Sequence, residues 1–260
     1  MQLQNGQTLE EYYSNTEKQA KELLKNNDNR KLVVILTGAG ISAESGLGVF
    51  RGSGGLWEGY DISKVASIRG WNTDPAQVIE FYNLRRQKLL DAEPNPAHKA
   101  LVELEKYFRV AIITQNVDNL HERAGSSCII HLHGELIKVR GIAYPYYVYE
   151  IGGEPIAIGD VCEKGSQLRP HIVWFGEEVP LISIASQITC VADIFVVVGT
   201  SFNVYPAAGL ISVTKDSIPK YVVDKDMPDL PGGYYNLKTI EKPASIGVPE
   251  VVADIIANYA

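Results

Sequence analysis

The chain has 260 residues, 45% hydrophobic and 21% charged, which excludes a disordered or collagen-like chain and a small disulfide-stapled domain. Its net charge of −7 excludes a broad basic surface, so we expect neither nucleic acid nor a membrane as partner. Three widely spaced cysteines, Cys128, Cys162 and Cys190, cannot build a disulfide framework or a four-thiolate zinc site. With no signal-peptide pattern at the start, we expect a cytoplasmic protein.

The predicted elements alternate between helices and strands. A helix over 17–24 precedes residues 32–36, LVVIL, an apolar run typical of a strand buried on both faces of a parallel sheet. Helices follow from Ile41, over 74–92 with Asp74 as cap, and over 96–106. Further strands are predicted over 109–114, 128–132, 194–199 and 221–224, and further helices over 181–192, 206–213 and 249–259. This order predicts an α/β fold, a Rossmann-like doubly wound parallel sheet.

One stretch interrupts the alternation. Residues 136–168 carry four tyrosines around Pro145, followed by several glycines, which is typical of a small β-rich unit. We therefore predict a large Rossmann-like domain of residues 1–135 and 170–260, with a small inserted domain of residues 136–169.

The first strand is followed by a glycine motif, residues 38–43, GAGISA, with the G-x-G-x-x-A spacing of dinucleotide sites. Small residues there let backbone N–H groups approach a pyrophosphate, although a plain tight turn is the alternative interpretation. A hydride-transfer site also needs an acid about 20 residues on, at the end of a second strand, but residues 50–57 form a predicted loop. An oxidoreductase is therefore disfavoured. Asp224 ends a later strand, as a ribose ligand or simply as a turn residue.

Polar residues and two histidines follow later strands. Residues 114–119, TQNVDN, place five hydrogen-bonding side chains at the carboxyl end of a strand, where open sheets bind ligands. In HLHGE, alternation along a strand points His131 and His133 the same way. Two histidines at this spacing also suit a metal pair, but the sequence offers no obvious third ligand. We therefore favour a general base.

Six blocks together resemble, in order and spacing, the sirtuin (Sir2) family of NAD-dependent protein deacylases. They are TGAGISAESG at 37–46, FRG at 50–52, TQNVDN at 114–119, HG at 133–134, RP with VWFGE within 169–177, and GTS at 199–201. The resemblance runs from about residue 17 to 258. It implies an enzyme that transfers the acyl group of a protein lysine to ADP-ribose and releases nicotinamide.

The resemblance also implies roles for single residues, with NAD as the cofactor. His133 would be the catalytic base, assisted by Asn116 and Asp118. NAD would be held by Gly38, Ala39, Gly40 and Ser42 at the diphosphate, by Phe50 and Arg51 in a loop over the ribose, by Gln115, Asn116 and Asp118 at nicotinamide and its ribose, and by Gly199, Thr200, Ser201 and Asp224 on the adenosine side.

On the substrate side, the resemblance implies that residues 173–177 present an edge strand to the acylated peptide, through Val173, Phe175, Gly176 and Glu177. The pair Tyr82 and Arg85 resembles the Y-x-x-R motif of the class III, desuccinylase-like branch, where both residues bind the distal carboxylate of succinyl- or malonyl-lysine. Positions i and i+3 share a helix face, which suits a joint carboxylate site. The alternative is an ordinary solvated basic face.

The chain departs from the family at its zinc site. Most sirtuins have two cysteine pairs in the small domain, whereas here Gly141 stands near the first position and only Cys162 resembles the last. We expect no metal, as in a bacterial branch lacking the zinc cysteines, with aromatic packing of residues 144–151 in its place. Asp224 replaces a usual asparagine, and Gly48-Val49 stands where the family usually has a threonine.

Two other functions stay open. The same NAD site could serve a protein ADP-ribosyltransferase or an NAD hydrolase if the acyl-lysine channel were blocked. A non-catalytic NAD-sensing module is the third alternative, although a sensor has no need of a base such as His133.

Overall fold

The structure is a computed structural model that describes residues 1–25, 29–48, 60–229 and 233–260. Within these ranges the strands are β1 Leu32–Thr37, β2 Arg109–Thr114, β3 Ile129–His131, β4 Gly134–Gly141, β5 Val148–Glu150, β6 Leu168–Ile172, β7 Ile194–Val198, β8 Lys220–Asp224 and β9 Leu237–Glu241. The helices are α1 Leu9–Leu24, α2 Ile62–Val65, α3 Ile68–Thr73, α4 Pro75–Asp91, α5 Pro96–Leu104, α6 Leu120–Ala124, α7 Ile182–Cys190 and α8 Ala244–Tyr259. None of these helices is long and apolar enough to span a membrane.

The large sheet contains six parallel strands in the order β3-β2-β1-β7-β8-β9. Every residue of β1 and β7 is buried, as continuous apolar sequences predict for strands covered on both faces. The chain extends the sheet from β1 to β3 and then returns to place β7 on the other side of β1. This reversal between β1 and β7 is a topological switch point, where open sheets bind ligands at the carboxyl ends of the strands.

Helices cover both faces of the large sheet. On one face, α1 and α7 pack against the strands through residues such as Ala20 and Ile188. On the other, α5 and α8 contribute Leu101 and Val251. The predicted α/β doubly wound fold is therefore confirmed.

Four predicted helices differ from the structure. The first, predicted over 17–24, begins at Leu9, where Thr8 forms its N-terminal cap. No α-helix begins at Ile41; the chain forms two 3-10 turns, Ala39–Ile41 and Ala43–Ser45, and the second ends at Gly46 with a φ of 90°. Glycine and serine are weak helix formers, so this segment stays a turn. The segment Ala207–Val213 is likewise a 3-10 helix. Helix α8 begins at Ala244 and runs through Pro249, because residues ahead of the proline, including Val248, are buried against the sheet.

The inserted residues form a three-stranded antiparallel sheet in the order β5-β4-β6. Strand β4 begins at Gly134 and β6 ends at Ile172, slightly outside the predicted insert of 136–169, whose boundaries stay a prediction. Helix α4 packs on this sheet, and the shared apolar cluster includes Phe81, Val139 and Leu168. The small sheet and α4 thus form one packed unit beside the switch point.

The segment before α1 crosses the small sheet. Gln7 pairs with Val148 of β5, and the Leu3 N–H donates to the Val161 carbonyl at 3.1 Å. Gly6 lies against the Tyr149 ring so closely that a Cβ atom would come within 2.5 Å of it. These residues therefore pack with the insert, although they precede the large domain's first helix.

Gly141, at the end of β4, lies next to Cys162, in the segment between β5 and β6. A Cβ atom at Gly141 would stand 3.4 Å from the Cys162 sulfur, so the two positions are spatial neighbours, as the resemblance to zinc-bearing relatives implies. The Cys162 N–H donates to the Ser166 carbonyl at 2.8 Å, which closes the turn through the backbone. Tyr149 is buried but Tyr144 is exposed, so only part of the tyrosine-rich segment packs inward. The expected lack of a metal stays a prediction.

Candidate active site

The turns after β1 and β7 touch through their backbones. The Gly40 N–H donates to the Gly199 carbonyl at 2.9 Å, and a Cβ atom at Gly40 would lie 2.5 Å from the Gly199 Cα. A Cβ atom at Gly38 would lie 2.6 Å from the Gly199 oxygen, and Gly199 itself has a φ of 62°. Because any side chain would separate these turns, the glycines keep the backbone close together at the switch point.

The loop after β2 connects these two turns. The Gln115 side chain donates to the Thr200 hydroxyl at 3.0 Å, on the β7 side. The Asn116 side chain donates to the Gly38 carbonyl at 3.0 Å and to the Ser42 hydroxyl at 3.2 Å, on the β1 side. The structure thus brings together residues from three of the predicted blocks.

Asp118 lies at the centre of this cluster. Its carboxylate accepts from the Ser42 hydroxyl at 3.0 Å and from the Leu120 N–H at 3.2 Å. Burial raises the pKa of Asp118 above its ordinary value, and the two hydrogen bonds counteract that rise in part. Among the described residues no cation pairs directly with this buried carboxylate, so it can accept a further donor from a ligand.

His133 is held in one orientation just before β4. Its Nδ1 lies 3.0 Å from the Gln115 carbonyl oxygen, which can only accept, so the neutral ring carries its proton on Nδ1. Nε2 therefore has a free lone pair. Burial lowers the pKa of His133 below 6.5, although the bond to Gln115 opposes the change. A neutral imidazole with a free Nε2 is suited to accept a proton.

Gly134 fixes the position of His133 on the small sheet. Gly134 has a φ of 82°, and a Cβ atom there would lie 2.1 Å from the His171 carbonyl oxygen. The His133 carbonyl accepts from the Val173 N–H at 2.9 Å. Glycine at this position therefore allows β4 and β6 to meet beside the histidine.

His131 lies beneath the site and is unavailable as a base. It is buried, with Nδ1 3.2 Å from the Asn116 carbonyl and Nε2 2.7 Å from a Glu122 carboxylate oxygen. Glu135 lies near this pair, but its carboxylate already accepts from Lys138 at 2.8 Å and from the Tyr12 hydroxyl. Since these groups satisfy one another, the cluster is a closed polar network in the described part of the chain.

A cavity of about 160 Å³ adjoins these residues. Its walls include Ala39, Ser42, Phe81, Arg85, Lys88, Asn116 and Asp118. The Arg85 guanidinium lies 5.4 Å from the centre of the Phe81 ring. Burial lowers the pKa of Arg85, while Tyr82 and Asp118 oppose the change. A partly desolvated cation therefore stands in the same cavity as Asn116 and Asp118.

Tyr82 lies on the same helix as Arg85 but is not among the described residues that line the cavity, so its role at the substrate stays a prediction. Its side chain is buried, and its hydroxyl accepts from the Trp174 indole N–H at 3.0 Å. Burial raises the pKa of Tyr82 to about 12, so it stays a neutral phenol. Arg85 lines the cavity, whereas the Tyr82 oxygen accepts from Trp174 and its own hydrogen is left to donate.

The segment 173–177 is irregular rather than the expected edge strand. The Phe175 N–H donates to the Ala66 carbonyl at 3.0 Å, in a short bridge to the α2–α3 turn. Glu177 anchors the segment, since its carboxylate accepts two bonds of 2.9 Å from Arg169 and one of 2.7 Å from the Trp174 N–H. The Phe175 side chain is 55% exposed and is the main apolar group that this segment offers to a partner.

Asp224 ends β8 beside the β7 turn. The Gly199 N–H donates to the carbonyl of the neighbouring Val223 at 2.9 Å, and Asp224 accepts from the Asp226 N–H at 3.1 Å. Burial raises the pKa of Asp224. Asp224 therefore does act as a turn residue through its bond to Asp226, and its role as a ribose ligand stays a prediction. Thr200 is buried and Ser201 is exposed, whereas Phe50 and Arg51 lie outside the described residues.

Some supporting residues were not found from the sequence. Asn95 donates to the Ile41 carbonyl at 2.7 Å and to the Ser45 hydroxyl at 3.0 Å, which fixes the glycine turn. Glu122 and Lys88 were also missed. The position of Lys88 could have been predicted from the sequence, since it follows Arg85 by three positions on a helix and so shares its face.

The site retains an acceptor for a dinucleotide. The side-chain oxygen of Asn116 is buried and accepts no hydrogen bond within the described residues. A buried amide oxygen of this kind needs a donor, and a carboxamide or a ribose hydroxyl can supply it. Together with the glycine contact at the switch point, this orphan acceptor fits NAD.

Comparisons with known proteins point the same way. The sequence model of the Sir2 family matches residues 38–206. A relative from Bacteroides thetaiotaomicron, an NAD-dependent protein deacylase, is 51% identical over 226 residues, 85% of this chain and 96% of the relative. A solved Sir2 homologue in complex with NAD has a TM-score of 0.80 and 35% identity, covering 99% of this chain and 98% of that one. A Sir2 structure with a deacetylated peptide and 3′-O-acetyl ADP-ribose has a TM-score of 0.69 and 30% identity, over 91% and 97%.

Proposed function

The chain belongs to the Sir2 family and is an NAD-dependent protein deacylase, and we propose that it prefers protein lysines carrying acidic acyl groups such as succinyl or malonyl. The observation that carries this proposal is the shared cavity of Arg85, Asn116 and Asp118. A cation for the acyl carboxylate thus lies in the same space as the polar groups expected at the ribose.

NAD supplies the ADP-ribose that accepts the acyl group, with nicotinamide as the leaving group. We assign its diphosphate to the turn of Gly38, Ala39, Gly40 and Ser42, at the switch point of the sheet. Gln115, Asn116 and Asp118 would hold the nicotinamide half, because they carry the free acceptor and the buried carboxylate of the site. Gly199, Thr200, Ser201 and Asp224 would face the adenosine half.

His133 would act as the base of the reaction. Its Nδ1–H donates to the Gln115 carbonyl, which would leave Nε2 to accept a proton from a ribose hydroxyl of the bound cofactor. The depressed pKa keeps the ring neutral at cellular pH. Asn116 and Asp118 would orient the hydroxyl groups and exclude bulk water, since both side chains are buried.

The preference for an acidic acyl group rests on Arg85. A guanidinium that is partly removed from water gains more from a carboxylate than an exposed one does, and charge-assisted bonds are the strong class of hydrogen bond. In the described chain Arg85 stacks on Phe81 and makes no ion pair, so its donors stay available for a substrate. A neutral acetyl group cannot use these donors.

The protein partner would approach over segment 173–177, where exposed Phe175 lies beside the bridge to the α2–α3 turn. Acylated lysine side chains of proteins, in the cytoplasm, are the substrates we propose. The open cavity beside Arg85 argues against a blocked acyl channel, and therefore against ADP-ribosyl transfer or NAD hydrolysis as the main reaction. The bond from His133 Nδ1 to the Gln115 carbonyl leaves Nε2 as a proton acceptor, which a purely sensing module does not need. This argues against a sensing module.

The test is mass spectrometry of one peptide carrying acetyl, malonyl or succinyl lysine, incubated with and without NAD. We expect NAD-dependent loss of succinyl and malonyl to be faster than loss of acetyl, with O-acyl-ADP-ribose as product. His133→Tyr should abolish all three reactions. Equal rates for all acyl groups would contradict the acidic preference, and label from NAD retained on protein would favour ADP-ribosyl transfer.

A further inference from the structure

Two histidines hold consecutive carbonyl groups of the 114–119 loop. Nδ1 of His133 lies 3.0 Å from the Gln115 oxygen, and Nδ1 of His131 lies 3.2 Å from the Asn116 oxygen. Nε2 of His131 lies 2.7 Å from a carboxylate oxygen of Glu122, on α6. The backbone between Gln115 and Asn116 is therefore held from β3 and from the start of β4.

The acceptors around His131 determine its charge. A carbonyl oxygen and an ionised carboxylate both only accept hydrogen bonds, so both ring nitrogens of His131 must carry protons. Burial lowers the pKa of His131, but Glu122 and Glu135 outweigh it and raise the pKa to about 9. The other titratable or charged groups around this ring are Asp118 in the loop, His121 on α6, Tyr12 on α1 and Lys138 on β4.

We propose that His131 and Glu122 form a charged clamp that positions the 114–119 loop, and with it the Asn116 amide and the carbonyl that orients His133. Both ring nitrogens of His131 are occupied, by the Asn116 carbonyl and by Glu122, so we treat both residues as positioning residues rather than catalytic ones. The proposal rests on the proposed function, because that function assigns the loop to NAD and His133 to proton transfer.

The clamp makes the loop sensitive to alkaline pH. Loss of a proton from His131 removes the donor to Asn116 or the donor to Glu122. One of the two hydrogen bonds through which this ring ties the loop to α6 is then lost. Glu122→Gln keeps the size of the side chain but removes its charge. Because an opposite charge at this distance shifts a pKa by about one to three units, the pKa of His131 should fall by at least about one unit.

The experiment compares wild type with Glu122→Gln and with Glu93→Gln. Glu93 is the matched control, since its exposed carboxylate lies in the loop after α4 and pairs at 2.7 Å with Arg123, the neighbour of Glu122 on α6. Three readouts follow pH: kcat/KM for a succinyl peptide, NAD affinity by calorimetry, and the protonation of His131 by nitrogen NMR. Hydrogen exchange of the loop amides in each variant reports the loop without ligand.

We expect wild type and Glu93→Gln to keep kcat/KM and NAD affinity up to about pH 9, and Glu122→Gln to lose both at least about one pH unit earlier. Loop amides should exchange faster in Glu122→Gln. Superimposable pH profiles and exchange rates for Glu122→Gln and wild type would overturn the clamp, as would a neutral His131 ring at pH 7 or a metal ion bound by it. If the wild-type protein removes no acyl group, the proposed function is wrong but the clamp is not contradicted. The clamp is then tested by the NMR and hydrogen-exchange measurements, which do not depend on activity.

Discussion

Gly40 and Gly199 are in backbone contact across the switch point of the sheet, with the Gly40 N–H donating to the Gly199 carbonyl at 2.9 Å. The two residues are far apart in the chain, yet a Cβ atom at Gly40 would come within 2.5 Å of the Gly199 Cα. Because the obstructing atoms are backbone, they cannot rotate away. The proposed diphosphate site therefore depends on glycine at both positions.

Gly40→Ala should lower the free energy of unfolding and weaken NAD binding. Forcing a methyl group against packed backbone costs about 1–3 kcal/mol, and the turn that faces the diphosphate would shift as well. Thermal unfolding and calorimetric titration with NAD measure the two effects. Gly209→Ala is the control, since a Cβ atom there meets its nearest neighbour, the Tyr205 ring, at an ordinary 3.8 Å. Unchanged NAD affinity in Gly40→Ala would contradict the assigned role.

Arg85→Met should reduce kcat/KM for a succinyl peptide by about tenfold to a hundredfold and leave an acetyl peptide within about twofold, because hydrogen bonds to charged groups contribute about 1.5–3 kcal/mol. Lys99→Met removes the same charge from an exposed position outside the cavity and serves as the control. Tyr82→Phe should affect succinyl selectivity less than Arg85→Met, since Tyr82 carries no charge and, unlike Arg85, does not line the described cavity. A larger loss of selectivity in Tyr82→Phe would place its hydroxyl at the substrate instead.

The acid limb of the pH profile should belong to His133. A base must be unprotonated, so kcat/KM falls as pH drops through the pKa of this group, which lies below 6.5. The other histidines titrate elsewhere: the pKa is about 4 for His98, about 3 for His171, well below 6.5 for His121 and about 9 for His131. A rate profile with its acid midpoint above pH 6.5 would show that His133 is not held as the structure has it.

Zinc removal should leave the protein folded and active. The turn at Cys162 is closed by backbone hydrogen bonds, and the neighbouring position is Gly141, which has no side chain to offer. Prolonged dialysis against a strong chelator should not change the melting temperature or the deacylation rate. Elemental analysis of the purified protein provides the contrary outcome: one tightly bound zinc per chain would reverse this expectation.

The sequence by itself determined the family, the α/β fold and most strands. Residues 32–36 read as a buried strand because every position is apolar, and the 38–43 motif could be recognised because its residues are adjacent in the chain. The 3-10 turns after Gly38 were missed, since helix propensity gives only a weak local preference. Strand β9 was missed because its half-exposed residues lack a strong apolar pattern.

Only the tertiary structure decided how the site residues work together. The HLHGE pattern points His131 and His133 the same way, but their different roles follow from Glu122 and Gln115, which come from other elements. The Y-x-x-R spacing puts Tyr82 and Arg85 on one helix, whereas Trp174 from beyond β6 holds the tyrosine hydroxyl. Such pairings depend on which distant segments meet when the core packs. Periodicity along a single chain carries no record of them.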